Sequence, residues 1–144
     1  MTGPAHLSVP AQRAERKPVL MAVGAAALAG LAGCVIIAIV ARAAGVPGSF
    51  TPLVVFPAFV VIGVVAGAAG WQLVRQRSAD PRHLLARPVP AVLLASFIPD
   101  LAVGATRALP HTTWGGVAAL MLMHLAVTAG AVPAYRHFLP LRAA

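Results

Sequence analysis

The sequence predicts an all-α membrane protein, a four-helix transmembrane bundle with both termini cytoplasmic. Three observations lead there: long apolar runs free of charge, a near absence of acidic residues, and basic residues that crowd into alternate segments between the runs.

The composition excludes an ordinary soluble domain. Of 144 residues, 60% are hydrophobic and 10% charged, and the mean hydropathy is +0.88. A water-soluble fold needs a mostly polar surface, and Glu15, Asp80 and Asp100 are the only acids available to build one. The net charge of +8 would suggest nucleic acid in a soluble chain. Here the basic residues lie between apolar runs, so their placement is explained by the bilayer and no nucleic-acid partner is implied. Cys34 is the single cysteine, which rules out an intrachain disulfide.

Crossing the hydrocarbon core as a helix takes about 20 apolar residues, because lipid offers the backbone no hydrogen bonds. The first span is placed at 19–41, which carries no charge, and the second at 53–74, where Gln72 is polar near the end. The fourth, 113–134, encloses His124. The third, 88–106, is shorter and holds Ser96, Pro99 and Asp100, yet leaving it outside would strand its apolar side chains in water. The segment 1–18, with Pro4, Pro10 and Pro18, is expected to be a disordered basic tail, and 135–144 a short basic C-terminal tail. Thr51 before Pro52 reads as a cap followed by proline at the first helical position.

Orientation follows from the lysines and arginines. Arg13, Arg16 and Lys17, then Arg75, Arg77, Arg82 and Arg87, then Arg136 and Arg142 fall on one side of four spans, against Arg42 and Arg107 on the other. The expected location is therefore a bacterial plasma membrane, with the basic side touching anionic head groups. Trp71 and Tyr135 at inner ends, and Phe50 and Trp114 at outer ends, suit interfacial positions.

Helices in lipid associate by close packing of small residues and by interhelical hydrogen bonds. Gly63 and Gly67, extended by Gly70, form a GxxxG step in the second span, and Ala26, Gly30 and Gly33 a similar groove in the first. Either serves internal packing or a homo-oligomer face.

The candidate intramembrane polar site is Asp100, His124, Ser96, Arg107 and Thr128. A carboxyl inside a span costs roughly 2.5 to 3.5 kcal/mol on insertion scales and requires a partner or water. Counting by fours sets Ser96, Asp100 and Gly104 on one stripe with Arg107 close to it, and Gly116, His124 and Thr128 match it on the fourth span. With straight helices the axial offset of Asp100 from His124 is roughly 7 Å, within reach of a water or a bent side chain; Arg107 is the other candidate partner. His124 is the only histidine inside a span, with His83, His111 and His137 at the edges, so no metal or cofactor is expected.

Leu31-Ala32-Gly33-Cys34 matches a lipoprotein signal box, which would lipidate Cys34, although Val35–Val40 continues the apolar run where a mature chain would turn polar. Arg42 to Val46, Met123 to Leu125 and Pro133, in the order of four spans, resemble a family of small actinobacterial membrane proteins of unknown function. The resemblance implies location and topology, and no activity.

With no nucleophile elbow, paired carboxylates or metal cluster in the sequence, the expected role is that of a structural or accessory membrane protein packing against itself or a larger partner. The alternative is a small proton-coupled transporter acting as a dimer, with Asp100 as coupling carboxylate.

Overall fold

The computed structural model describes residues 9–46, 55–77, 88–108 and 112–141, with side chains from Arg16 onward and, after the first loop, from Pro57. Thr51, Pro52, Arg82, Arg87 and Arg142 lie outside the described residues. The described residues form four helices: α1 (Val9–Ala43), α2 (Val55–Arg77), α3 (Pro88–Thr106) and α4 (Trp114–Phe138). All four are long and apolar enough to cross a membrane.

Helix ends follow local chemistry. α3 is helical over Pro88–Thr106, the segment expected as the third span. At the start of α4 the Thr113 hydroxyl caps the helix, accepting from the Gly116 N–H at 3.2 Å. After α1, Gly45 adopts φ 77°, a conformation that glycine enters without a Cβ penalty, and the Val46 N–H returns to the Ala41 carbonyl at 3.0 Å. The largest difference is at the N-terminus. Residues 9–18, expected as part of a disordered tail, continue α1 as helix through Pro10 and Pro18. Pro10 lies in the first turn, where its missing N–H has no intrahelical role, and Pro18 removes a single bond from a long helix.

The packing is centred on α4. It lies principally along α1, carries α3 on one side, and together with α1 holds α2; among the described residues α2 and α3 do not touch, nor do α1 and α3. Small residues set the α1–α4 spacing. A methyl at Gly33 would come 2.9 Å from Ala126 Cβ, and one at Gly130 would come 2.9 Å from Ala29 Cβ and 3.3 Å from the Gly30 nitrogen. The first-span groove is therefore an internal seam, where backbone approach replaces side-chain bulk. The GxxxG step of α2 behaves differently: Gly67 faces the Tyr135 hydroxyl, whereas Gly63 and Gly70 have nothing within 4 Å of an added Cβ.

Cross-helix pairs fix the directions. Gly33 meets Ala126 and Ala29 meets Gly130, so α1 and α4 are antiparallel. Val64 pairs with Tyr135 and Trp71 with Leu139, so α2 runs with α4. Asp100 meets His124 and Gly104 meets Val117, so α3 runs against it. Arg16, Lys17, Arg75, Arg77 and Arg136 consequently sit at one end of the assembly, and Arg42 and Arg107 at the other.

Two hydrogen bonds tie the basic end together. The Tyr135 hydroxyl donates to the Val64 carbonyl at 2.5 Å, and the Trp71 indole N–H donates to the Leu139 carbonyl at 3.0 Å. Their rings are 5.7 Å apart at 51°, and Trp71, Tyr135 and Leu139 are all buried.

Candidate functional site

Asp100 and His124 meet across the α3–α4 contact. Asp100 Oδ2 lies 3.1 Å from His124 Nδ1, so the two groups touch without an intervening water. A straight-helix offset of roughly 7 Å leaves the gap to a water or a bent side chain, and here the side chains close it. The reason is side-chain direction: Cα–Cβ bonds lean toward the N-terminus of their own helix. On antiparallel helices Asp100, lying closer to the Arg107 end, leans away from that end while His124 leans toward it, and the leans close the gap.

The two partners differ in exposure. Asp100 is buried, at 8% exposure, and with Gly104 it is one of the two buried residues of α3. The His124 side chain is 38% exposed. Below it, Gly104 lets α3 approach so closely that an added methyl would lie 2.8 Å from Val117 Cγ2 and 3.0 Å from the Trp114 ring.

His124 Nδ1 is also 3.0 Å from the Leu120 carbonyl of its own helix. One nitrogen thus faces two oxygens. It has only one hydrogen to give, and Asp100 Oδ2, despite its proximity, is buried without a hydrogen bond. The distance and the missing bond agree if the N–H points along the helix to Leu120 and the carboxylate sits beside that line, in electrostatic contact with the ring. Phe97, one turn before Asp100, sets its ring 6.2 Å from the imidazole at 81°.

The other predicted members do not converge on the pair. Ser96 Oγ donates to Leu93 O at 2.6 Å and stays on its own helix, as hydroxyls in apolar helices do. Arg107, a candidate partner of Asp100, is exposed in the turn after α3 with φ 51° and makes no ion pair with a described residue; its backbone has left the helix, which carries the guanidinium off the stripe. Thr128 is half-buried one turn beyond His124 on α4. Phe97 and the Leu120 carbonyl are the members that the sequence reading missed. Phe97 is three residues from Asp100 and so on its face, a spacing that could have included it.

Cys34 is fully buried, its Sγ 3.9 Å from Met123 O at the α1–α4 seam. Among the described residues no group of three His, Cys, Asp or Glu side chains could hold a metal ion. Comparison with protein-family models, with curated proteins and with solved structures finds no match for the chain. What the site does has to come from its own residues.

Proposed function

We propose that the protein is a multi-pass accessory protein of a bacterial plasma membrane, with both termini in the cytoplasm, that packs against a further membrane helix, either its own second copy or a larger partner. The observation that carries this reading is the open side of the assembly. Among the described residues α3 is attached through α4 alone and does not touch α2, and a half-exposed histidine lies at mid-span on α4. An imidazole left facing lipid is unfavourable, and polar groups at such positions are commonly covered by another helix. The cytoplasmic assignment is supported by the basic residues gathered at one end and by the even number of candidate spans. That end is suited to anionic head groups.

Extraction into native nanodiscs or mild detergent, followed by mass measurement of the intact assembly, tests the reading. A particle heavier than the monomer is expected; a solitary monomer in every mild extract overturns it.

The Asp100–His124 contact favours a second reading, a proton-coupled transporter acting as a dimer with Asp100 as coupling carboxylate. Asp100→Asn should then abolish substrate-dependent proton movement in proteoliposomes while the helices stay assembled. Unchanged flux removes this reading.

A further inference from the structure

We propose that Nε2 of His124 is a proton-binding site within the membrane span, and that its occupancy latches α3 onto α4. The inference concerns the same pair as the transport reading but requires no substrate and no partner.

It begins with the tautomer. Nδ1 stands 3.0 Å from Leu120 O and 3.1 Å from Asp100 Oδ2. With the Asp100 carboxyl ionised, a bare nitrogen lone pair between two oxygens would be repelled by both, so in that state Nδ1 carries the hydrogen. The neutral ring then has its lone pair at Nε2, which has no hydrogen-bond partner among the described residues, on a side chain 38% exposed. An unsatisfied acceptor in an apolar span is costly, and a proton is the smallest species that satisfies it.

In that ionised state Asp100 supplies the counter-charge, 3.1 Å from the ring. When a proton from water bonds to Nε2, the ring becomes an imidazolium and the ionised pair goes from a net charge of −1 to zero. Asp100 is the only described titratable group facing the ring. On α4 its neighbours one turn away are Leu120, Met121, Val127 and Thr128; from α3 it meets Asp100 and Phe97. Cys34 on α1 is engaged with Met123 O, and Tyr135 with Val64 O on α2.

The consequence reaches the fold because α3 has so little else holding it. Asp100 and Gly104 are its buried residues, and α4 is its sole described neighbour. Charging the imidazole strengthens the first of these two closures, since opposite charges attract strongly where the dielectric is low. The second closure supplies a reporter, because the Trp114 ring packs against Gly104.

The test uses the purified full chain in nanodiscs of zwitterionic lipid. Nitrogen-15 spectra of histidine-labelled protein, with His6, His83, His111 and His137 replaced, read His124 directly. Trp114 emission, in a Trp71→Phe background, follows α3 over pH 8 to 4.5. The expected result is a hydrogen on Nδ1 and a bare Nε2 at high pH, an N–H appearing at Nε2 on acidification, and an emission change in step with it. His124→Gln should abolish the emission change, and Asp100→Asn should reduce its amplitude, because the imidazolium then has no carboxylate to close on. A His124 spectrum constant over this range overturns the proton site, even if the Gln variant fails to fold. An emission change that persists in His124→Gln overturns the latch. Nanodiscs that hold a single copy keep both results separate from the question of a membrane partner, which the mass measurement decides.

Discussion

Tyr135 on α4 gives its hydroxyl hydrogen to the main-chain carbonyl of Val64 on α2, 2.5 Å away. That carbonyl lies within a continuous helix, and the approach is possible because Gly67 leaves room for the ring: an added methyl there would be 3.1 Å from the hydroxyl.

Tyr135→Phe removes this bond and keeps the ring. Interhelical hydrogen bonds in membrane proteins contribute about 0.6 kcal/mol on average and up to about 1.7, and this one is buried. A loss toward the upper figure is expected in reversible unfolding from lipid bicelles, with helical content unchanged. Equal stability of the variant and the parent would show that the bond contributes nothing.

Glycines should divide by what surrounds them. Gly130→Ala brings a methyl within 2.9 Å of Ala29 Cβ and 3.3 Å of a backbone nitrogen, which forces α1 and α4 apart and costs about 1 to 3 kcal/mol. Gly24→Ala meets nothing within 4 Å, and replacing glycine in a helix interior gains up to about 1 kcal/mol. Thermal midpoints of the two variants should therefore move in opposite directions.

α3 should be separable from the rest. Gly104→Leu collides with Val117 and Trp114 and should lift α3 from α4 without disturbing the α1–α4 seam. Protease added from the Arg107 side should cut the α3–α4 turn faster than in the parent, while the Tyr135–Val64 end resists. Protection equal to the parent's would mean that the helix ends flex enough to absorb the side chain.

Orientation can be read with thiols in a Cys34→Ala background. Arg107→Cys should react with a membrane-impermeant maleimide on intact cells, and Arg75→Cys only after permeabilisation. The reverse pattern would invert the assignment. In the parent, Cys34 itself should stay unmodified until the fold is opened, and the intact mass should lack a lipid adduct.

Much of this architecture was legible because the signal for a span is a sum over many residues. Even the third apolar segment, shortened and carrying Asp100, coincides with a helix, whose ends Pro88 and Thr106 sit at clear polarity changes. The extension of α1 upstream of Val19 was not legible: 9–18 is rich in polar residues and proline, and nothing local distinguishes a helix projecting from a span from a tail. The Asp100–His124 pair was half legible. Residue spacing put both on matching stripes, but the contact depends on the opposed lean of two side chains, which appears only when antiparallel neighbours are drawn with their Cβ directions. The division of the glycines was invisible, because Gly63 and Gly130 are equivalent as letters and differ in what stands opposite.

The main partner of α1 is α4 and not the helix that follows it. During synthesis, therefore, the groove formed by Gly30 and Gly33 must wait in the bilayer until the C-terminal span has been delivered. A ribosome stalled before Trp114 would leave it uncovered, and membrane quality-control proteases would meet α1, α2 and α3 without the helix that contacts each of them.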